Sequence, residues 1–285
     1  MSVTGGFKTA LPDRVPTWPR RACANAWQAL ATLLRPPRPK AKPIGRGYGK
    51  IAGGVLIAVV VLAGVMVFVD AWAAETAKRL PFWLIFTFNE LTDFGKSGWF
   101  LVPTGFVIMM LAVLASSALP RFTQVLLATI AIRCGFLFVA IAAPSLFTTI
   151  VKRLIGRARP FVGQLADPFL YQPFAWRPDY ASMPSGHATT ACAAAVAVGL
   201  VWPRLRAIMW VYALIIALSR VVLVAHYASD VIAGGIVGVV GAFIVRDWFA
   251  ARRLGFVIGA DGSVHALPGP SFGRLKRVAR RLLAP

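Results

Sequence analysis

Long apolar runs constrain the fold of this chain more than any other feature. The first of them, Ile51–Val69, contains no charged residue before Asp70. A membrane-spanning helix needs about 20 mostly apolar residues. Hydrophobic residues occupy 58% of the 285 positions, which is more than a soluble domain of this size uses. The sequence therefore predicts an integral membrane protein.

Six such runs predict an all-α, polytopic membrane protein with six transmembrane helices. After Ile51–Val69 the spans are Gly98–Leu119, Phe122–Val151, Ala188–Val201, Leu205–Leu218 and His226–Val245. Residues 70–97 are interrupted by charges, so we expect them to lie in the outer interface as an amphipathic segment. The last span has a face of small residues that predicts close helix packing. That face consists of Gly234, Gly235, Gly238 and Gly241.

Positive charge is concentrated at the two ends of the chain. Of the 31 Lys and Arg residues, ten lie in residues 1–50 and eight in 246–285, and the net charge is +21. Basic segments beside spans stay in the cytoplasm, so we divide the chain into a Pro-rich basic tail (1–50), a six-span domain (51–248) and a second basic tail (249–285). Anionic lipid headgroups are the expected partner of the tails. A nucleic-acid-binding arm is the less favoured alternative, and we expect no nucleic-acid partner.

Three polar clusters border the later spans, and this topology places all of them outside. In the first, Ser185 is a favoured helix cap, Gly186 permits close approach to the backbone, and His187 follows on the first turn. The other clusters are Lys152…Arg159-Pro160 and Ser219-Arg220…His226…Asp230. Cations on the outer face contradict the positive-inside trend, so they indicate an anionic ligand. Together the clusters supply what phosphoryl transfer without a metal requires.

Spacing within the clusters suggests local geometry. Lys152 and Arg159 are seven positions apart and would share one face of a helix, with Arg159 at its frayed end before Pro160. His226 and Asp230 are four apart and would face each other across one helical turn, where the carboxylate would fix the imidazole tautomer. A metal bound by that pair lacks a nearby third ligand. Arg133 lies within a predicted span, but it is close enough to the inner end to snorkel, and we leave it out of the site.

The three clusters, in this order and with this spacing, resemble the signature of the type 2 phosphatidic acid phosphatase (PAP2) superfamily. That superfamily includes membrane lipid phosphatases and shares its site with vanadium haloperoxidases. The resemblance implies that His226 is the nucleophile, that Asp230 orients it, and that His187 is the general acid and then the base. It also implies a set of groups that hold the phosphate oxygens, and no metal or cofactor. That set is Lys152, Arg159, Ser185, the Gly186 amide and Arg220.

We therefore expect a lipid phosphate phosphatase that acts through a phosphohistidine, in the inner membrane of a bacterium. Both termini would be cytoplasmic, and the active site would face the periplasm at the outer ends of spans three to six. The expected substrate is a phosphatidate, phosphatidylglycerophosphate, undecaprenyl diphosphate or lipid A phosphate. The alternatives are a phosphotransferase with the same site, a haloperoxidase (expected to be soluble) and a non-catalytic scaffold (expected to lose site residues).

Overall fold

The computed structural model describes residues 18–37 and 48–270, with residues 273, 276 and 280. Part of the predicted N-terminal basic tail (38–47) lies outside the described residues, as do 1–17 and most of 271–285. The described helices are α1 (Trp18–Leu34), α2 (Tyr48–Phe68), α3 (Asp70–Ala77), α4 (Phe82–Thr92), α5 (Gly98–Leu114), α6 (Arg121–Ile155), α7 (Gly186–Val201), α8 (Arg206–Val222) and α9 (Ala228–Ala251). Two short strands follow, β1 (Phe256–Ile258) and β2 (Val264–Ala266).

Among the residues that the structure describes, five helical segments are long and apolar enough to cross a membrane. They are Ile51–Phe68, Phe82–Leu114, Arg121–Ile155, Pro203–Val222 and Ala228–Ala251. The remaining apolar helix, α7, has only 16 residues, or about 24 Å at 1.5 Å per residue. The protein is thus a mostly helical membrane protein with five candidate spans and one shorter apolar helix.

Helix α7 forms the centre of the bundle. It packs against α6, α8 and α9, and most of its residues are buried. A helix that is apolar on all sides belongs in a protein core or in a membrane. Its many alanines allow those neighbours to approach closely, so a short helix can serve as the core.

The predicted small-residue face of the last span is confirmed. A Cβ atom at Gly234 would lie 2.4 Å from the Ser185 carbonyl oxygen, and one at Gly238 would lie 2.4 Å from that of Thr189. At Gly241 it would lie 2.7 Å from Cβ of Pro144 on α6. These glycines let α9 contact the backbone of α7 directly.

Residues 70–97 differ from the expected interfacial segment. From Phe82 onward, α4 and α5 are separated by only a 3-10 turn (Asp93–Gly95) and a few residues, and Phe82–Leu114 forms one candidate span. Within Phe82–Leu114, the charged residues Asp93 and Lys96 lie at this turn, and only there is the helix interrupted. Asp70 is not interfacial either, because it is completely buried.

The C-terminal region departs from the all-α prediction, because β1 and β2 pair as an antiparallel hairpin. The hairpin packs on the helices through Phe256, whose ring centroid lies 4.7 Å from that of Phe136 on α6. The side chain of Arg133 reaches this region, where its Nη2 donates a 2.6 Å hydrogen bond to the Leu267 carbonyl. The predicted boundary at residue 248 stays a prediction, although the chain continues into this packed hairpin.

The N-terminal region is also partly structured. Helix α1 packs along α5, where Asn25 Nδ2 donates to the carbonyls of Ala112 (2.8 Å) and Ala115 (2.9 Å). Those carbonyls lie at the end of α5, where no following turn of helix supplies backbone amides to donate to them. The side chain of Asn25 satisfies them.

Candidate active site

All three polar clusters meet at one end of the helical bundle. The end of α6, the loop from 156 to 185, the start of α7, the end of α8 and the start of α9 contribute to it. The beginning of α3 and the turn between α4 and α5 complete it. The way in which each of these helices begins or ends sets the geometry of the site.

Lys152 and Arg159 do not share a helix face, contrary to the prediction. Helix α6 ends at Ile155, and Gly156 follows in the left-handed conformation with φ of 64°. A Cβ atom there would lie 1.7 Å from the Gln172 carbonyl oxygen, so only glycine permits this turn. Arg159 lies in the loop beyond it, where its amide donates to the Asp179 carbonyl at 2.8 Å.

The three predicted cations are nevertheless close together. The charge of Arg159 acts on Lys152 and also on Arg220 at the end of α8. Burial lowers the pKa of the Arg159 guanidinium, and Asp230 and Asp179 partly offset this effect. Three cations held this close repel one another, so an anion between them would relieve the repulsion.

The start of α7 agrees with the predicted helix start. Ser185 occupies the N-cap position and Gly186 is the first helical residue, but the Ser185 side chain makes no capping hydrogen bond. Its Oγ is buried and has no hydrogen-bond partner among the described residues. A Cβ atom at Gly186 would meet nothing within 4 Å. An unpaired hydroxyl beside open space at a helix N-terminus suits an anion.

His226 and Asp230 are neighbours, but they do not face each other across a helical turn. His226 precedes α9, and Asp230 is the third residue of that helix, where its carboxylate accepts from the Tyr227 amide at 2.9 Å. His226 Nδ1 lies 3.8 Å from Asp230 Oδ2. This is an electrostatic contact rather than a hydrogen bond. Burial lowers the pKa of the His226 imidazole, which keeps it neutral near pH 7.

Sequence reasoning missed the residues that hold Asp230. Arg157 Nη1 donates to Asp230 Oδ1 at 2.6 Å, and Arg157 Nη2 donates to Asp70 Oδ2 at 2.8 Å. All three side chains are completely buried. Burial acts to lower the pKa of Arg157, but the charges of Asp230 and Asp70 outweigh it and raise the pKa. Ser182 Oγ also donates to Asp230 Oδ2.

Two more missed residues hold Arg220 and His187. Thr92 Oγ1 accepts from Arg220 Nη1 at 2.7 Å and from Ser219 Oγ at 2.9 Å. Gly95 lies against the His187 ring, because a Cβ atom there would come within 2.8 Å of Cδ2. Both residues belong to the segment that the sequence analysis assigned to the interface.

The signals for these residues were weak. Arg157 lies within the Lys152…Arg159 cluster, two positions before Arg159, so a further cation there was visible but could not be assigned a partner. Asp70 was visible only as an acid directly after the first span. Nothing local in the sequence indicates that it reaches Ser229, 159 positions later.

No group of three or more His, Cys, Asp or Glu side chains could hold a metal ion within the described ranges. The two fully buried acids, Asp70 and Asp230, are bound to Arg157. The cations Lys152, Arg159 and Arg220 form a donor set that suits a phosphate anion.

Part of this chain, including the three clusters, is similar to known proteins. The sequence profile of the PAP2 superfamily matches residues 133–254. The lipid A 1-phosphatase of Rhizobium johnstonii is 36% identical over 128 residues, which are 45% of this chain and 52% of that protein. The lipid A 1-phosphatase of Rhizobium etli is 35% identical over 128 residues, which are 45% of this chain and 55% of that protein. The chain thus spans about half the length of these curated relatives.

One solved structure is also similar. It is the first transmembrane PAP2 type phosphatidylglycerolphosphate phosphatase from Bacillus subtilis, which is 21% identical with a TM-score of 0.45. The match covers 68% of this chain and 92% of that one. The part of the chain that matches the PAP2 superfamily profile, residues 133–254, contains all three polar clusters, from Lys152 to Asp230.

Proposed function

We propose that this protein is a metal-independent lipid phosphate phosphatase that works through a phosphohistidine. One observation carries the proposal: a buried imidazole, a serine hydroxyl without a partner among the described residues, and three cations meet beside open space at a helix N-terminus. These residues are His226, Ser185, Lys152, Arg159 and Arg220. Cations and helix amides there would neutralise phosphoryl charge as Mg²⁺ does in other enzymes.

The first half-reaction transfers the phosphoryl group to His226. Asp230 lies on the Nδ1 side of the ring, so Nε2 would attack phosphorus while the bond from phosphorus to the lipid oxygen breaks. His187 would donate a proton to that leaving oxygen. The Asp230 carboxylate would stabilise the positive charge that develops on His226.

The second half-reaction hydrolyses the phosphohistidine. His187, now deprotonated, would accept a proton from water as the water attacks phosphorus. The bond from phosphorus to nitrogen breaks and inorganic phosphate leaves, which restores neutral His226. Throughout, Ser185, the Gly186 amide and the three cations would hold the phosphoryl oxygens.

The expected substrate is a phosphorylated membrane lipid. A membrane site favours molecules whose tails remain in the bilayer, and the relatives named as lipid A 1-phosphatases put lipid A 1-phosphate first among the candidates. Phosphatidate, phosphatidylglycerophosphate and undecaprenyl diphosphate complete the panel. We also propose that α7 is the sixth span and that the site faces the periplasm of a bacterial inner membrane, with both termini and their basic tails in the cytoplasm.

The test is phosphate release from this panel by the purified protein, in excess EDTA and with vanadate as inhibitor. In parallel, a ³²P-labelled aryl phosphate is added to the wild type and to two variants, followed by rapid quenching. His226→Ala should carry no label. His187→Ala should accumulate it, because an aryl leaving group needs little protonation while hydrolysis has lost its base.

His265 provides the matched control, since it lies on β2 and bonds only Ser263 Oγ among the described residues. His265→Ala should behave as wild type. Label in His226→Ala but not in His187→Ala would reverse the two roles. No phosphate release from any lipid would refute the proposed function, and a lipid- or sugar-phosphate product with added acceptor would identify a phosphotransferase.

A further inference from the structure

The site contains a buried charge network whose purpose the mechanism above does not explain. It consists of Asp70, Arg157 and Asp230, each with a completely buried side chain. Asp70 comes from the first residue of α3, Arg157 from the loop after α6, and Asp230 from α9. Buried charges are retained only when they are paired and hydrogen-bonded, and this set is paired across three separate elements.

Arg157 holds one oxygen of the Asp230 carboxylate. Its Nη1 donates to Asp230 Oδ1 at 2.6 Å and to Ser229 Oγ at 2.7 Å. The other oxygen, Oδ2, accepts from Ser182 Oγ and the Tyr227 amide and faces His226. With both oxygens bound, the carboxylate cannot rotate, so Oδ2 stays directed at Nδ1.

Asp70 in turn holds Arg157. Its Oδ2 accepts from Arg157 Nη2 at 2.8 Å, and its Oδ1 accepts from the Ser229 amide at 2.9 Å. The guanidinium is fixed on its remaining sides by the Pro168 carbonyl, which accepts from Nε at 2.9 Å, and by the Tyr227 ring 4.5 Å away. Asp70 thereby ties the end of the first spanning segment to the start of α9.

The charge balance gives Asp70 a second role. A guanidinium alone beside Asp230 would neutralise the carboxylate that His226 needs. With Asp70 present, two carboxylates share one guanidinium, and the set has a net charge of −1. That residual negative charge remains available to stabilise an imidazolium at His226.

We infer that Asp70 and Arg157 are positioning residues for the proposed reaction, which set the orientation and the effective charge of Asp230 towards His226. The inference rests on the proposed function. Asp70 lies outside residues 133–254, the part that matches the superfamily profile. Asp70, which follows directly after the first spanning segment, would therefore complete the active site.

Substitutions of the two residues should have opposite effects on pH dependence. The charged groups that face His226 are Asp230 on α9, Arg220 on α8, Arg159 in the loop and His187 on α7. Asp70→Asn removes negative charge from behind Asp230, so protonation of His226 becomes harder and the acid limb of kcat/KM moves to lower pH. Arg157→Gln removes positive charge, and the acid limb moves to higher pH.

The rate should change as well. Asp70→Asn should lower kcat about 10- to 100-fold, as loss of an outer-shell partner does at other sites, while KM and the inhibition constant of vanadate change little. Arg157→Lys keeps the charge but loses the second hydrogen bond, so kcat should fall without a shift of the acid limb. In Asp70→Asn/Arg157→Lys the two losses should not multiply, since both act through the same carboxylate.

The control is Lys78→Gln at the C-cap of α3, which removes an ion pair with Glu75 on that helix. It should leave kcat and the pH profile unchanged. If vanadate inhibits a variant at the same concentration as it inhibits the wild type, that variant retains a folded phosphate site. Should Arg157→Gln fail to fold, Asp70→Asn and Arg157→Lys still decide the question.

With an active wild type, any of three results would overturn the inference. They are full kcat in Asp70→Asn, an acid limb that does not move in Asp70→Asn, and multiplicative losses in the double variant. An inactive wild type would instead refute the proposed function, and the inference with it. Phosphate release by the wild type therefore distinguishes the two failures.

Discussion

Gly95 lies directly against the imidazole of His187. A Cβ atom at position 95 would lie 2.8 Å from Cδ2 of His187 and 2.6 Å from Cγ2 of Ile216. These contacts are shorter than van der Waals distance, so the ring or the turn must move if a methyl group is added. The turn between α4 and α5 thus sets the position of the proposed general acid.

Gly95→Ala should therefore displace His187 and slow proton transfer. We expect kcat for a lipid phosphate to fall at least tenfold, since general acid catalysis contributes about 10²–10⁴-fold. Labelling of His226 by an aryl phosphate should change little. The ratio of kcat for the lipid phosphate to the rate of labelling, measured on one preparation, tests this expectation. Equal losses in the two rates would contradict the assigned role of Gly95.

Gly186→Ala should separate stability from activity. The position is helical with open space around it, and alanine stabilises a helix by about 1 kcal/mol relative to glycine. The melting temperature should stay the same or rise. The new methyl group would occupy the space proposed for phosphate, so KM and the inhibition constant of vanadate should increase. Unchanged vanadate inhibition would place the phosphate elsewhere.

Gly238→Ala should destabilise the bundle. Its Cβ would lie 2.4 Å from the Thr189 carbonyl oxygen and 3.0 Å from the Ala193 amide nitrogen, and overpacking of this kind costs about 1–3 kcal/mol. The matched control is Gly64→Ala on α2, where a Cβ would meet nothing within 4 Å. Thermal unfolding in detergent should show a lower melting temperature for Gly238→Ala alone.

The pH profile should reflect the buried state of His226. Burial lowers the pKa of its imidazole below the ordinary value of about 6.5. The neutral form is the nucleophile, so labelling should persist as the pH falls to about 6.5 and decline only below it. The second ionisation of the substrate, near pH 6, is followed separately by ³¹P NMR. A decline that begins well above pH 6.5 would contradict a lowered pKa.

Membrane orientation is tested with single cysteines, in a background where Cys23, Cys134 and Cys192 are replaced by alanine. Gln164→Cys lies at the proposed outer end and Arg204→Cys at the inner end, and both positions are exposed. An impermeant thiol reagent added to intact cells with a permeabilised outer membrane should label only Gln164→Cys. The opposite pattern would place the site in the cytoplasm.

The sequence by itself indicated the membrane class, the order of most helices and the close packing of α9. These features depend on local patterns: runs of apolar residues, small residues at helical spacing, and the cap before Gly186. It also supplied His226, Asp230 and the other proposed site residues, through three short clusters whose internal spacing is visible along the chain. Their roles stay predictions until the labelling experiments are done.

Only the tertiary structure decided how those clusters face one another. Gly156 turns the chain so that Arg159 leaves the helix of Lys152, and no seven-residue spacing reveals that turn. Asp70 reaches Arg157 because helices α2 and α9 pack together at one end of the bundle. Contacts between residues far apart in the chain depend on packing of whole helices, whereas periodicity reports only which face of each helix is apolar. The buried charges behind Asp230 were therefore visible in the sequence as residues but not as a network.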